Sequence, residues 1–181
     1  MEPTDEDLVR RYRTGEASAF EALVDRHAKG AVRFATHFLG DPHEAEDLAQ
    51  ECFLKLTSVA RNGSYDPQRG RFAPFFFRMV RNLALDRLRA RRPSSPILTD
   101  PEADGTDGAA LAERGETRER VRAILEGLPP NERAAIVLRE FEGMTYREIG
   151  EALGATLESV KTWIFRARRR VERRWRALEE A

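Results

Sequence analysis

Apolar side chains recur at spacings of three and four residues along nearly the whole chain, and this period limits the possible folds more than any other feature. The longest example passes through Phe20, Leu23, Val24, Ala31 and Phe34. Such spacing places side chains on one face of an α-helix, whereas a strand requires alternation every second residue. The sequence therefore predicts an all-α protein.

Residues typical of helix ends divide this periodic pattern into separate helices. Thr4 before three acidic residues predicts an N-cap, Gly40 predicts a helix end, and Asp41-Pro42 predicts a new start. The segment from Asn62 to Gly70 has the composition of a loop, and a further helix is predicted from Phe72 to about Ala90. The N-terminal half is thus expected to contain four helices.

The segment 93–116 separates two helical regions. It begins with Pro93-Ser94-Ser95-Pro96, is rich in Pro, Gly, Asp, Ala and Thr, and has no apolar period. This composition predicts a flexible acidic linker. We therefore expect two small, separate helical domains, at residues 1–92 and 117–181, of which the second has four helices.

The charges are balanced in number but segregated along the chain. There are 31 basic and 31 acidic residues, and a net charge of zero normally argues against nucleic-acid binding. However, six arginines and one acid lie between residues 78 and 92, and eight basic residues and one acid lie between 161 and 176. This distribution suits a protein that meets phosphates with some faces and another partner with others.

Several functional classes receive no support from the composition. The single cysteine, Cys52, cannot form an internal disulfide and fits a reducing compartment. No apolar run approaches the roughly 20 residues that span a membrane, and the N-terminus is acidic. His27, His37 and His43 lack metal-ligand spacing, and His27 falls on an apolar stripe. We expect a cytoplasmic protein that is not an enzyme, binds no metal or cofactor and does not insert into membranes.

The segment from Thr145 to Arg170 has the pattern of a helix-turn-helix. A capping box opens a short helix, Gly154 supplies a turn, and Thr156 caps a second helix with Val160 and Ile164 on its buried side. Polar, basic and aromatic residues lie off that buried stripe: Thr156, Ser159, Lys161, Thr162, Phe165 and Arg166. These side chains can meet base edges and phosphates in the major groove. The alternative is a helical hairpin with a solvated basic face.

Two further segments have an ambiguous composition. Phe72 and Phe75 fall outside the predicted core stripe and precede a run of arginines, as in proteins that stack on single-stranded nucleic acid. Composition alone favours these rings as core residues instead. On the preceding helix, Asp47 and Glu51 share a face with Gln50 and Leu54. An acidic face of this kind is usually only solvated.

Four segments in this order resemble the extracytoplasmic-function sigma factors of bacterial RNA polymerase. They are Asp7–Val24, like the opening helices of that family; Glu44–Lys55, like its polymerase-binding helix; Phe72–Asp86, like its minus-ten helix; and Leu128–Arg168, like its fourth domain. The chain departs from the family at Phe75, where a Trp is usual, and at Trp163, where a small polar or basic residue is frequent.

The resemblance implies a role for each face. Asp47, Gln50, Glu51 and Leu54 would meet the clamp helices of the largest polymerase subunit, and the flap is the other part of polymerase that the resemblance implies as a partner. The loop 62–71 would capture a flipped base of the minus-ten element. The residues implied to face minus-ten DNA are Phe72, Phe75, Arg78, Arg81, Asn82, Asp86 and Arg89, and those implied to read the minus-thirty-five element are Thr156, Ser159, Lys161, Thr162, Phe165 and Arg166. The linker would follow the RNA exit path.

The resulting hypothesis is a sigma factor that directs core RNA polymerase to stress-type promoter DNA and is regulated by an anti-sigma protein. A helix-turn-helix repressor or activator that acts without polymerase is the alternative, with residues 1–92 as a dimerisation or sensor domain. The helix that carries Asp47 and Glu51, together with Phe72–Arg92, favours the sigma factor. An enzyme acting on nucleic acid has no support from the acids, bases and potential metal ligands of the sequence.

Overall fold

A computed structural model describes residues 2–68, 70–90, 117 and 119–180. These residues contain eight helices and no strand, which confirms the all-α prediction. The helices are α1 (Asp5–Arg13), α2 (Ala17–Leu39), α3 (Pro42–Asn62), α4 (Phe72–Ala90), α5 (residues 119–126), α6 (Pro130–Glu140), α7 (Tyr146–Leu153) and α8 (Leu157–Glu179). The predicted linker, 93–116, lies outside the described residues.

The predicted helix boundaries coincide with caps in the structure. The Thr4 hydroxyl accepts a hydrogen bond from the Asp7 backbone N–H at 3.1 Å, and the Asp7 carboxylate accepts one from the Thr4 N–H in return. Gly40 ends α2 with φ of 74°, a left-handed conformation that glycine adopts without steric cost. The Asp41 carboxylate then accepts from the His43 N–H at 2.9 Å, so α3 begins where its N-cap was predicted.

Helices α1–α4, here called the N-terminal bundle, surround an aromatic core. The Phe76 ring lies near its centre, with its centroid 5.1 Å from Phe53, 5.7 Å from Phe72 and 5.5 Å from Phe77. Rings at these separations add packing energy beyond the area that they bury. The long helix α2 packs against both α3 and α4. This contact determines which sides of α3 and α4 face outward.

Helices α5–α8, here called the C-terminal bundle, hold the helix-turn-helix. Helix α6 packs against α7 and α8, and α8 buries Val160, Ile164 and Ala167 as predicted. Helix α8 continues to Glu179, well past Ala167, its last buried residue. Its final three turns are therefore largely exposed and carry several arginines.

The two bundles share a packed interface, with α2 against α6 and α4 against α7. Five consecutive residues of α6, Ala134–Leu138, are buried because α8 covers one side of the helix and α2 covers another. The sequence pattern predicted separate bodies, since it identifies the apolar stripe of α6 but not a second partner. The domain boundaries themselves stay a prediction. Within the described part of the chain, no helix is long and apolar enough to cross a membrane.

Candidate nucleic-acid and polymerase interfaces

The outer side of α8 presents the residues predicted to read duplex DNA. Lys161, Thr162, Phe165 and Arg166 are all exposed, and the Phe165 side chain retains 60% of its accessible surface. The Arg169 guanidinium lies 5.6 Å from the centre of the Phe165 ring. These four residues, together with Thr156 and Ser159, are here called the recognition face. The recognition face combines cations, hydroxyls and an aromatic ring on the second helix of a helix-turn-helix.

Hydrogen bonds at both helix starts fix the position of the recognition face. Thr145 and Glu148 form a reciprocal capping box at the start of α7. At the start of α8, the Thr156 hydroxyl accepts from the Ser159 N–H at 3.2 Å and lies 2.9 Å from the Ser159 hydroxyl. Thr156 therefore caps α8 by accepting from the Ser159 N–H, and both residues border the recognition face. The predicted turn at Gly154 is confirmed by its φ of 64°.

Trp163, which departs from the family pattern, packs partly against the core rather than lying on the recognition face. A side chain packed in this way helps to hold α8 against the core. Nearby, Arg168 pairs with Glu140 of α6 at 2.7 Å, which joins the middle of α8 to the end of α6. Both contacts set the orientation of α8 relative to the rest of the C-terminal bundle.

The arginine-rich helix α4 divides into two parts. Asn82, Asp86 and Arg89 are exposed, and Arg89 pairs with Asp86 at 3.2 Å. Arg78 and Arg81 instead reach the C-terminal bundle: Arg78 donates to the backbone oxygen of Glu151, and Arg81 donates to the side-chain oxygen of Asn131 at 2.8 Å. Burial lowers the pKa of Arg81, and the nearby charge of Arg89 lowers it further.

Phe72 falls outside the predicted core stripe but lies in the core, which is the placement that composition favoured. Its side chain is fully buried, stacks on Phe76 and lies beside the His27 ring at 5.1 Å. The helical-period argument failed because α4 is covered on several sides and buries more than one stripe. A ring in this position cannot stack on a base while the core stays intact. Phe75 is only half-buried, so its ring stays available for that role.

The loop between α3 and α4 is held from inside by Tyr65, whose side chain is 3% exposed. The Tyr65 ring lies 4.7 Å from Phe75, and its hydroxyl donates to the Gly70 backbone oxygen at 3.0 Å. Burial raises the pKa of Tyr65, and the negative charges of Glu6 and Asp5 raise it further. Arg69, part of the predicted base-capturing loop, lies outside the described residues.

The acidic side of α3 faces away from the aromatic core. Asp47 and Gln50 are exposed, and Leu54, a large apolar side chain, is 70% exposed. Glu51 is held between Lys55 at 2.8 Å and Arg87 at 3.0 Å, and hydrogen bonds from these two cations lower its pKa. Asp47, Gln50, Glu51 and Leu54 therefore share one surface, here called the α3 face, and Glu51 is fixed in position within it.

Three supporting residues escaped the sequence analysis because each acts on a partner distant in sequence. Arg87 donates to the Glu44 backbone oxygen at 2.6 Å as well as pairing with Glu51. Glu6 accepts from the Phe72 N–H at 2.8 Å, and Arg13 donates to the Ala60 backbone oxygen at 2.6 Å. No periodic or local motif predicts such contacts. Among the described residues, no cluster of three or more His, Cys, Asp or Glu could hold a metal ion.

Comparison with known families gives a match in both halves of the chain. Sigma-70 region 2 matches residues 23–93, and sigma-70 region 4 matches residues 118–171. The chain is 30% identical to the RNA polymerase sigma-H factor of Pseudomonas aeruginosa, over 93% of this chain and 92% of that protein. It is also 30% identical to the ECF RNA polymerase sigma factor SigW of Bacillus subtilis, over 98% of this chain and 100% of that protein. The chain belongs to the extracytoplasmic-function sigma factors.

Two solved structures share the fold of this sigma factor. CnrH, in complex with the cytosolic domain of CnrY, matches with a TM-score of 0.75 and 26% identity over 96% of this chain and 97% of that one. The sigma factor RpoE of Bartonella quintana, in complex with the anti-sigma factor NepR, matches with a TM-score of 0.68 and 19% identity over 87% and 96% of the two chains. The family matches and the relatives of 30% identity confirm the predicted function as an RNA polymerase sigma factor, a transcription initiation factor, and the polymerase-independent regulator is not favoured.

Proposed function

We propose that this sigma factor binds core RNA polymerase through the α3 face and brings α4 and α8 to the minus-ten and minus-thirty-five elements of stress-type promoters. One observation carries the proposal: the acidic α3 face and the basic recognition face are both exposed, and they lie on different bundles. A protein that bound only duplex DNA would leave the α3 face simply solvated. A protein that bridges a large enzyme and a promoter uses both.

The proposed work is done by binding energy. Lys161, Thr162 and Arg166 would dock on duplex DNA and set the register. The loop 62–71 and the Phe75 ring would hold bases that have left the stack. Unstacking costs a few kcal/mol per base, and stacking on an aromatic ring returns about 1–3 kcal/mol. A small protein can therefore favour the open promoter once polymerase contributes the remaining contacts.

We also propose an anti-sigma protein as a regulatory partner. CnrH was solved with the cytosolic domain of CnrY, and RpoE with the anti-sigma factor NepR. The exposed apolar side chains Leu54 and Phe165, each on a proposed functional face, offer contact area to such a partner. Polymerase and promoter DNA are the other proposed partners, and the cytoplasm, where they meet, is the proposed site of action.

Two substitutions separate the two proposed faces. Asp47→Arg reverses the charge of the α3 face, and we expect affinity for core polymerase to fall at least about tenfold, because like charges placed across an interface repel. Arg166→Ala leaves the α3 face intact, so we expect normal polymerase binding but weaker use of promoters. Polymerase pull-down and promoter-specific transcription measure the two effects.

Asp25→Arg is the matched control for Asp47→Arg, since it makes the same charge reversal at an exposed position of α2. It should leave polymerase binding unchanged. If Asp47→Arg and Arg166→Ala lowered both activities equally, the proposed division between the two bundles would be wrong. Specific binding of wild-type protein to free duplex promoter DNA, with no effect of polymerase, would support the regulator instead.

A further inference from the structure

Residues of helix α1 form hydrogen bonds near both ends of the loop between α3 and α4. Arg13, the last residue of α1, donates from Nε to the Ala60 backbone oxygen at 2.6 Å and from Nη2 to the Tyr65 backbone oxygen. Ala60 lies in the final turn of α3, where backbone oxygens lack partners within the helix and a cation is favourable. One guanidinium therefore joins the end of α3 to the middle of the loop.

The far end of the loop is fixed by Tyr65 and Glu6. The buried Tyr65 side chain donates from its hydroxyl to the Gly70 backbone oxygen at 3.0 Å. Glu6 of α1 accepts from the backbone N–H of Phe72, the first residue of α4, at 2.8 Å. Arg13, Tyr65 and Glu6, called the loop clamp, thus hold the backbone at Ala60, Tyr65, Gly70 and Phe72.

We propose that Arg13 and Tyr65 are positioning residues for base capture, which rests on the proposed function of the loop 62–71. A loop that closes on a flipped base loses less conformational freedom if its backbone is already fixed. Arg13 fits this role because its planar fork presents two donors in fixed directions, a geometry that lysine lacks. The clamp itself need not touch the DNA.

Arg13→Lys and Tyr65→Phe test the proposal in the holoenzyme. The readout is affinity for a non-template minus-ten oligonucleotide, compared with versions in which an abasic site replaces each base in turn. For the wild type, one abasic position should weaken binding. Each variant should lose about fivefold in affinity for the intact strand, as expected for one hydrogen bond, but nothing for the strand that lacks the captured base.

Arg10→Lys and Tyr12→Phe make the same chemical changes on α1 outside the loop clamp and should bind both strands normally. A general loss of folding would weaken the intact and abasic strands alike, and would overturn the proposal. Wild-type binding with no sensitive abasic position would instead contradict base capture itself. Equal affinity of Arg13→Lys and wild type for the intact strand, with wild-type discrimination present, would refute the positioning role alone.

Discussion

At the scale of single residues, burial distinguishes side chains that the sequence treats alike. Phe72 and Phe75 both precede the arginines of α4, yet Phe72 is fully buried while Phe75 is only half-buried beside Tyr65. Composition could not separate them, because the difference depends on α1 and on the loop packing over the start of α4. The position of a ring beside positive charges in the sequence is therefore insufficient to predict that the ring contacts nucleic acid.

Phe72→Ala and Phe75→Ala should consequently affect different properties of the protein. Removing a buried ring leaves a cavity, so Phe72→Ala should lower the free energy of unfolding by about 3–5 kcal/mol. Phe75→Ala should cost clearly less stability but weaken binding of the minus-ten strand in the holoenzyme. Chemical denaturation and oligonucleotide binding measure the two effects. Equal losses of stability would contradict the different placement of the two rings.

Cys52 provides a second test at this scale. Its side chain is fully buried, and burial raises the pKa of its thiol to about 12. Because the thiolate is the reactive form, the folded protein should resist thiol reagents at pH 8, whereas the unfolded protein should react readily. Rapid modification under native conditions would show that α3 is not packed as described.

At the scale of helices and turns, local sequence signals were sufficient for most boundaries. Thr4, Asp41, Thr145 and Thr156 all cap helices where predicted, because capping depends on contacts within one turn. The spacing of Val160, Ile164 and Ala167 likewise identified the buried side of α8. The same periodicity placed Asp47, Gln50 and Leu54 together on the outer side of α3.

The turn of the helix-turn-helix depends on a close approach that the sequence does not reveal. A Cβ atom at Gly150 would lie 2.9 Å from the Ala155 backbone oxygen. Alanine normally stabilises a helix by up to about 1 kcal/mol relative to glycine, but here it must displace the turn. We expect Gly150→Ala to destabilise the protein and weaken duplex recognition, as measured by denaturation and promoter binding.

A control for this substitution is Arg147→Ala, at a highly exposed position on the same helix, which should leave the stability nearly unchanged. An increase in stability for Gly150→Ala would mean that helix propensity outweighs the contact with Ala155. Contacts such as those of Gly150, Arg13 and Arg87 could not be predicted, because each depends on how helices or turns meet in three dimensions rather than on local spacing.

At the scale of the whole molecule, the sequence left open how the two helical regions lie relative to each other, and the structure packs them together at one interface. His37 of α2 lies within it, with its ring 4.8 Å from Phe141 and its Nδ1 atom buried without a hydrogen-bond partner. Burial lowers the pKa of His37 to about 4, and the positive charges of Arg33 and Arg133 contribute to the decrease. The packed form thus favours neutral His37.

Acidification should therefore destabilise the packed form. Unfolded or separated bundles let His37 bind a proton near pH 6.5, whereas the packed form resists protonation down to about pH 4. The stability that neutral His37 allows the packed form is fully present above pH 6.5 and is lost as the pH falls toward 4. At pH 5.5 the packed form should have lost about 1 kcal/mol of stability. Chemical denaturation at a series of pH values should report the change.

His37→Gln should remove most of this dependence, while His43→Gln, at an exposed position, should retain it. An identical pH profile for wild type and His37→Gln would exclude His37 as the responsible group. The sequence could not predict this behaviour, since it depends on Arg133 and Phe141 meeting α2 across the interface.

Transcription with purified core RNA polymerase, followed by mapping of start sites, tests the function of the whole chain most directly. Adding this protein should produce defined start sites that core polymerase alone does not use, each downstream of two recognised elements at one preferred spacing. Start sites identical to those of core polymerase alone, or regulation by this protein without polymerase binding, would contradict its role as a sigma factor.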